Sequence, residues 1–279
     1  MADYIGRFAP TPSGPLHFGS MVAAVGSWLD ARANDGKWLL RIDDLDAPRV
    51  AEGSVDSIQR ALEAHGLYWD DSAVHQSKRF EAYEDALVQL TQAGKTYGCA
   101  CTRKDLQDFD VYPGTCKRRR DIPTRTIRLD VTEERIEWSD RGLGYRSYEL
   151  SKAIGDFPLR NAHGIYSYHL ANVVDDMAMG VSHVVRGADL ELSTVAHLHL
   201  QSVLGGSQIV YHHLPLALDA AGHKLSKQTA APPVEIHKPQ QTLNDVFSHL
   251  GLKPVSGASA EDVLQGGVAQ WKSLYPITA

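Results

Sequence analysis

A loop near the start of the chain combines small residues and prolines with one histidine. Residues 10–20 read PTPSGPLHFGS; they follow a strand-like segment, 4–9, and precede apolar residues with helical spacing. Small residues let a backbone approach a ligand closely, and the first turn of a helix favours a phosphate. His17, beside that turn, could donate a hydrogen bond to a phosphate oxygen on which charge develops. The pattern indicates phosphate chemistry, although an ordinary turn with an exposed histidine would look the same.

A second loop, late in the chain, carries two lysines around a serine. Residues 223–228 read HKLSKQ and follow the apolar, strand-like residues 214–218. Lys224 and Lys227, with Ser226 between them, would form a flexible cationic clamp for a polyphosphate. Taken alone the pattern is weak, because such charged loops are usually solvated surface.

Three cysteines cluster in the middle of the chain, at Cys99, Cys101 and Cys116. Three soft sulfur ligands at this density suit tetrahedral zinc and leave one coordination position to fill. The odd number argues against a disulfide framework and favours a reducing compartment, so a cytoplasmic protein is expected.

A run of four cations follows the last cysteine: Lys117, Arg118, Arg119 and Arg120. Such a run can neutralise several phosphates of a nucleic acid. It can equally be a solvated surface segment.

The elements that must position these residues alternate between strand and helix patterns. Short apolar strand patterns cover residues 4–9 and 37–42. Helical spacing follows at Met21, Val22, Val25 and Leu29, then from the candidate N-cap Ser54 through Val55, Ile58 and Leu62, then at Phe80, Tyr83, Leu87 and Leu90. This alternation is typical of βαβ units and predicts a doubly wound parallel α/β sheet.

The alternation breaks over residues 97–165, which hold the cysteines and short strand-like pieces such as 126–129, so an insertion is predicted there. Beyond it, Val173–Val174 and residues 183–186 read as strands, 191–204 as a helix and 208–211 as a strand. Pro232–Pro233 marks a boundary, after which Leu243, Val246, Phe247 and Leu250 predict one small amphipathic helix. The expected division is a first half of a nucleotide-binding catalytic domain at 1–96, an insertion with a zinc site and substrate lid at 97–165, a second half with the lysine loop at 166–233, and a short helical segment at 234–279.

Composition is that of a globular chain. The 279 residues include 43% hydrophobic, 22% charged and 8% aromatic side chains, with a formal charge of −6. These values exclude a disordered chain, and no apolar run approaches the ~20 residues of a membrane-spanning helix. The N-terminus lacks a signal-peptide pattern. The mild negative charge argues against indiscriminate nucleic-acid binding and leaves room for a local basic groove.

Together, the two loops resemble the HIGH and KMSKS signatures of class I aminoacyl-tRNA synthetases, with Leu225 and Gln228 as departures in the second. The resemblance is greatest to glutamyl-tRNA synthetase and runs in order over about four fifths of the chain. The supporting stretches are RFAPTPSG at 7–14, LRIDDLD at 40–46, VVDD at 173–176, VRGAD at 185–189 and HLPL at 213–216.

Ordinary glutamyl-tRNA synthetases continue through a large anticodon-binding region, whereas little follows the lysine loop here. The chain therefore resembles the truncated paralogues, the glutamyl-Q tRNA(Asp) synthetase family, and no anticodon-binding domain is expected at 234–279. The resemblance implies tRNA-independent activation of L-glutamate with ATP and magnesium, and transfer of the glutamyl group to queuosine at the wobble position of tRNA(Asp). A minimal synthetase charging a tRNA 3′ end and a non-catalytic RNA-binding paralogue are the alternatives. Neither a membrane nor an obligate protein partner is expected.

Family positions imply roles for individual residues. His17, Lys227 and Lys224 would be catalytic, Arg7 and Arg186 would take the carboxylates of glutamate, and the ammonium would fall to Asp43 with Tyr168 nearby. The family usually has glutamate where this chain has Asp43, so a water bridge or a shifted loop is expected there. The implied glutamate-binding set is Arg7, Phe8, Ala9, Pro10, Thr11, Asp43, Tyr168 and Arg186, and the ATP-binding set is Thr11, His17, Gly19, Ser20, Lys224, Ser226 and Lys227.

In the family, a tyrosine four residues before the last cysteine completes the zinc site, which is Tyr112 here; water or a histidine such as His163 is the alternative. The zinc would be structural, and residues 117–120 beside it would contact RNA. Asp175 and Asp176 could cap a helix or line the site.

Overall fold

The computed structural model describes residues 3–217 and 232–277, and these form ten strands and eight α-helices. The strands are β1 Ile5–Phe8, β2 Lys37–Ile42, β3 Asp70–His75, β4 Thr96–Cys99, β5 Thr126–Leu129, β6 Arg135–Asp140, β7 Gly144–Glu149, β8 Pro158–Arg160, β9 His183–Gly187 and β10 Val210–Leu214. The helices are α1 Phe18–Ala33, α2 Ser54–Ala64, α3 Phe80–Gln92, α4 Leu150–Ala153, α5 Tyr168–Ala178, α6 Glu191–Val203, α7 Pro239–His249 and α8 Ala260–Leu274. None of the helices in these described ranges is long and apolar enough to cross a membrane.

Two parallel sheets form the centre of the fold. Strands β1, β2 and β3 pair in parallel in the order β1-β2-β3, and β9 pairs in parallel with β10. The sheets meet where the backbone N–H of Ser182 donates to the carbonyl of Ile5 at 2.9 Å, which brings β9 beside β1. The predicted α/β fold with a parallel sheet is confirmed.

Residues 96–160 hold the antiparallel strands. β4, β5 and β8 form one three-stranded sheet, and β6 and β7 form a hairpin. The tip of the hairpin contacts β10 of the parallel sheet, because the backbone N–H of Arg141 donates to the carbonyl of Tyr211 at 2.9 Å.

Two local predictions are wrong. Val173–Val174 lies inside α5 rather than in a strand. The paired β-branched residues suggest a strand, but Ser167 caps this helix by accepting from the backbone N–H of Leu170 at 3.3 Å, and tertiary packing overrides the local preference. Ser54 is the first residue of α2 and not its N-cap, which is Gly53. The Ser54 hydroxyl instead donates to the carbonyls of Pro12 and Ala51.

Two elements outside residues 97–165 have no counterpart among the sequence-based predictions. β3 reads DDSAVH, too polar to suggest a strand, and among the described residues it pairs with β2 alone. α8 contains the pair Gly266–Gly267, which lowers helix propensity. Gly267 is required there because a Cβ would lie 2.4 Å from the ring of Phe247.

The C-terminal helices belong to the main core. Phe247 of α7 and Trp271 of α8 are completely buried against α1. The buried carboxylate of Asp30, on α1, accepts from Tyr4 Oη at 2.5 Å, Arg141 Nη1 at 2.6 Å and Trp271 Nε1 at 2.8 Å. One carboxylate thus ties the first strand, the hairpin and the last helix to α1.

Candidate active site and metal centre

A cleft of ≈ 440 Å³ opens at the ends of β1, β9 and β10. The carboxyl ends of parallel strands are where such folds bind ligands. The cleft is lined by ten predicted site residues: Arg7, Phe8, Ala9, Pro10, Thr11, His17, Gly19, Ser20, Tyr168 and Arg186.

His17 is the N-cap of α1. Its Nδ1 accepts from the backbone N–H of Ser20 at 3.3 Å, and its Nε2 lies 3.0 Å from the Ser20 hydroxyl. The imidazole therefore lies over the first turn of a 16-residue helix. The unpaired N–H groups and the positive dipole end of such a turn favour an anion.

Lys224, Ser226 and Lys227 lie outside the described residues. The described chain on either side of them is at the cleft: Ala217 lines it, and Pro233 forms a β-bridge with His17.

Arg7 is a buried cation held by a buried carboxylate. Its Nε and Nη2 donate to Asp176 at 3.1 and 3.3 Å, while its Nη1 forms no hydrogen bond with any described residue. Burial raises the pKa of Asp176, but Arg7 and Arg41 outweigh it and hold that pKa below its ordinary value. The ionised carboxylate fixes the guanidinium and leaves one nitrogen unpaired at the cleft.

Asp43 is not among the cleft-lining residues. It is buried, and its carboxylate accepts from Arg41 Nε at 2.7 Å. Arg41 also donates to Asp176 at 2.5 Å. The structure therefore places Asp43 in the ion-pair network beneath Arg7, and does not bring it to the cleft surface where the ammonium was expected.

Asp175 and Asp176 neither cap a helix nor line the cleft. Asp175 is fully buried and accepts from Arg79 Nε at 2.5 Å, Gln76 at 2.8 Å and Tyr83 Oη at 2.9 Å. Both carboxylates anchor α5 to the parallel sheet and α3.

Arg186, by contrast, has no carboxylate among its direct partners in the part of the chain that the structure describes. The residue is 4% exposed. The groups around it are the side chains of Tyr168, Thr194, His197 and His213 and the carbonyl of Leu190, at 2.7 to 3.4 Å. Burial and then the Arg186 charge hold the pKa of His197 well below its ordinary value, so that ring is neutral. A buried cation without a carboxylate partner can bind an anion.

Among the other residues that line the cleft, three have charged or amide side chains that sequence analysis did not assign to the site: Arg49, Asn172 and Asp189. Asn172 follows Tyr168 by one helical turn on α5. When its amide is oriented so that both its nitrogen and its oxygen are hydrogen-bonded, Asn172 donates to Asp176 at 3.2 Å and accepts from Arg41 at 2.6 Å. The spacing of four residues from Tyr168 would have indicated Asn172 if this segment had been predicted as a helix. The predicted strand at 173–174 excluded that inference.

The three cysteine sulfurs converge, all within 4.8 Å of one another. Cys101 Sγ lies 3.6 Å from Cys116 Sγ, and Tyr112 Oη lies 3.4 Å from Cys99 Sγ and 3.8 Å from Cys101 Sγ. A tetrahedron with Zn–S bonds of ~2.3 Å has edges of about 3.8 Å. The donor set and its spacing thus fit one zinc ion. Within the described ranges His163 is not a member of this metal cluster.

Burial raises the pKa of the Tyr112 phenol above its ordinary value, and two contacts would act in the opposite direction and favour a negatively charged oxygen. The backbone N–H of Cys116 donates to that oxygen at 2.9 Å, and the guanidinium of Arg128 lies 3.8 Å from the ring centroid. Both would stabilise a phenolate bound to a metal.

The basic run of residues 117–120 divides into two parts. Lys117 forms ion pairs with Asp130 at 2.7 Å and Asp156 at 3.1 Å, and it also donates to the carbonyl of Val131. The following three arginines are exposed. Lys117 therefore anchors the cysteine cluster to the β4-β5-β8 sheet. Arg118, Arg119 and Arg120 remain accessible to a ligand.

Fold and cleft together define a class of protein. The family model of the tRNA synthetases class I (E and Q), catalytic domain, matches residues 5–122 and 114–242. Glutamyl-Q tRNA(Asp) synthetase of Dechloromonas aromatica is 47% identical over 90% of this chain and 87% of its own length. The protein of that name from Pseudomonas paraeruginosa is 44% identical over 97% of this chain and 94% of its own.

Among solved structures, a glutamate tRNA ligase from Elizabethkingia meningosepticum in complex with its amino acid aligns with a TM-score of 0.80 at 25% identity. The alignment covers 94% of this chain and spans 64% of that ligase. The chain belongs to the glutamyl-Q tRNA(Asp) synthetase family, and is a ligase with a class I aminoacyl-tRNA synthetase catalytic domain.

Proposed function

We propose that the chain activates L-glutamate with ATP, without RNA, and transfers the glutamyl group to queuosine in tRNA(Asp). The observation that carries the first step is the pairing of two buried arginines with a helix N-terminus in one cleft. Arg7 and Arg186 both line it, as do His17 and Ser20. The transfer to queuosine is proposed because the similar proteins are named glutamyl-Q tRNA(Asp) synthetase.

In the first step, an oxygen of the glutamate α-carboxylate attacks the α-phosphorus of ATP. The bond from that phosphorus to the β-bridging oxygen breaks, giving glutamyl-adenylate and pyrophosphate. The protein's task is alignment and stabilisation of phosphate charge. Arg7, through Nη1, and Arg186 would hold the two carboxylates, while the ammonium needs an acceptor that the buried Asp43 reaches only through a water or a shift of its loop.

His17 and the first turn of α1, with Gly19 and Ser20, would bind the phosphates. Lys224 and Lys227 would add further positive charge, with Ser226 and Thr11 as further ATP contacts. The described residues on either side of that lysine loop support this assignment, since Ala217 and Pro233 lie at the cleft and beside His17. Magnesium bound to ATP would share the phosphate charge.

In the second step, a hydroxyl of queuosine attacks the adenylate carbonyl, and AMP leaves. The base would have to leave the anticodon stack to reach the cleft. The exposed arginines 118–120 are the proposed RNA contact. Zinc held by Cys99, Cys101, Cys116 and Tyr112 would be structural, joining two segments of the insertion that have little apolar core.

Two assays test the function. ATP–pyrophosphate exchange should require glutamate and proceed without RNA, which distinguishes an enzyme from a binding protein. Labelled glutamate should then enter tRNA(Asp) that contains queuosine and not tRNA(Asp) that lacks it. Labelling of both RNAs would instead identify a synthetase that charges the 3′ end, and absence of exchange would overturn the proposal.

A further inference from the structure

The tip of the β6–β7 hairpin reaches back to the glutamate side of the cleft through Asp140. This residue is 4% exposed. Its Oδ1 accepts from the backbone N–H groups of His213, Gly142 and Leu143, each at 3.0 Å. Its Oδ2 lies 2.5 Å from His213 Nδ1. The fit is tight, because a Cβ on Gly142 would lie 2.0 Å from the carbonyl oxygen of His213.

These contacts fix which nitrogen of His213 carries the proton. Burial raises the pKa of Asp140, but the hydrogen bonds from the side chain and backbone of His213 outweigh it and hold that pKa well below its usual range. An ionised carboxylate facing Nδ1 requires a proton on Nδ1. Nε2 is then free to accept.

Two polar groups lie close to that Nε2. Arg186 Nε–H points to it at 3.3 Å, and the Thr194 hydroxyl lies 3.1 Å away. Thr194 also accepts from Arg186 Nη2 at 2.7 Å. An imidazole with a proton on Nε2 would oppose the Arg186 Nε–H, so the tautomer set by Asp140 is the one that Arg186 needs.

The same edge of Arg186, Nε and Nη2, is thus held by His213 and Thr194, while Nη1 faces Tyr168 at the cleft. In Arg7 the Nε and Nη2 edge is also held, but its partner is the carboxylate of Asp176. A neutral acceptor orients the guanidinium of Arg186 without cancelling its charge, which leaves the charge for a substrate anion.

We propose that Asp140 and His213 are positioning residues for Arg186, which set its orientation for a carboxylate of glutamate. This rests on the proposed function, in which Arg186 binds that substrate. The chain of contacts also means that the hairpin inserted between the two halves of the parallel sheet takes part in building the amino-acid site.

Three variants test the proposal by ATP–pyrophosphate exchange. His213→Asn keeps a donor near the Nδ1 position and loses the acceptor toward Arg186, whereas His213→Gln can place an amide oxygen near the Nε2 position. Asp140→Asn keeps the Oδ1 acceptor but can present an N–H to Nδ1, which favours the wrong tautomer. His212→Phe is the matched control, because His212 is the next residue on β10 and packs against Trp271 and Tyr275 instead.

The expected result is a change confined to glutamate. His213→Asn and Asp140→Asn should raise the KM for glutamate about 10- to 100-fold, the effect of losing a hydrogen bond to a charged group. The KM for ATP and kcat should stay within about 3-fold, as expected for lost uniform binding. His213→Gln and His212→Phe should stay near the wild type. Equal effects of Asn and Gln at 213, or a parallel rise in the KM for ATP, would overturn the proposal.

A second measurement separates this proposal from the proposed function. Long-range ¹H–¹⁵N spectra of the histidine side chains should show His213 protonated at Nδ1 in the wild type and at Nε2 in Asp140→Asn. A wild-type His213 protonated at Nε2 would overturn the positioning role even if exchange proceeds. If wild-type protein lacks glutamate-dependent exchange, the proposed function fails, and binding of glutamate by calorimetry to wild type and His213→Asn decides the role of His213.

Discussion

At the residue scale, the cleft contains two buried arginines with opposite charge environments. Arg7 forms an ion pair with Asp176. Arg41 shares that carboxylate but has a second one in Asp43, so the charge of Arg7 is largely compensated within the protein. Arg186 is surrounded by hydroxyl, imidazole and carbonyl groups. Because an uncompensated buried cation is costly, a bound carboxylate at Arg186 would recover more free energy than one at Arg7. This asymmetry suits a substrate with two carboxylates that must be distinguished.

We infer two roles for His17, the N-cap of α1 and a contact to phosphate, and a pair of substitutions distinguishes them. His17→Ala should slow exchange by roughly 10²–10³, the usual effect of losing one transition-state contact. It should also lower the free energy of unfolding by about 1 kcal/mol, because the N-cap of α1 is lost. His17→Asn should lose the same activity and keep the cap. Near-wild-type exchange in His17→Asn would remove the phosphate role and leave only the cap.

Zinc content tests the metal cluster and its fourth ligand. Metal analysis of protein purified without chelator should find about one zinc per chain. Tyr112→Phe should release zinc faster to a competing chelator, because one of four ligands is lost. His163→Ala should behave as the wild type. Retention of zinc by Tyr112→Phe together with its loss in His163→Ala would reverse the assignment.

At the scale of elements, local signals and long-range contacts differ in what the sequence can predict. β1, the loop after it and α1 are contiguous and carry their own pattern, so their order and eight of the ten predicted cleft residues could be read from this one segment. α5 and α8 could not, since Val173–Val174 suggests a strand and Gly266–Gly267 weakens a helix. The pairing of Asp140 with His213 joins residues 73 positions apart and has no local signature. Such contacts are set by packing of the hairpin on β10, which periodicity does not encode.

The basic segment 118–120, which follows the last cysteine, leads to a prediction about RNA binding. Replacing Arg118, Arg119 and Arg120 together by alanine should weaken transfer to tRNA and reduce its salt dependence by about one unit of slope per lost phosphate contact. Adenylate formation should not change. Lys117→Ala is the informative comparison: its ion pairs with Asp130 and Asp156 predict a lower melting temperature with the salt dependence retained. Unaltered transfer by the triple variant would place the RNA elsewhere.

At the scale of the whole molecule, buried histidines couple stability to pH. Burial is the main cause that lowers the pKa of His169 and of His212 to about 4, from an ordinary 6.5. Between these values the unfolded chain binds protons that the folded chain does not. The free energy of unfolding should therefore fall as the pH falls from about 6.5 to 4, the range over which these two histidines lose their contribution.

His212→Phe measures the contribution of His212 to this pH dependence of the free energy of unfolding. The ring forms no side-chain hydrogen bond among the described residues and is 2% exposed between Trp271 and Tyr275. The variant should match the wild type near pH 8 and exceed it by about 3 kcal/mol at pH 4, as followed by urea unfolding. A His212→Phe profile parallel to the wild type would show that this ring does not titrate as described.

The carboxylate of Asp30 has a consequence for how the chain reaches its final state during translation. Its partner Trp271 is synthesised 241 residues later, whereas Tyr4 is already available and Arg141 emerges midway. Until the last helix leaves the ribosome, α1 presents an apolar face, and the Asp30 carboxylate lacks one of its three hydrogen-bond donors. Nascent chains released before residue 271 would therefore be substrates for chaperones and proteases, even though every residue of the described cleft has already been made.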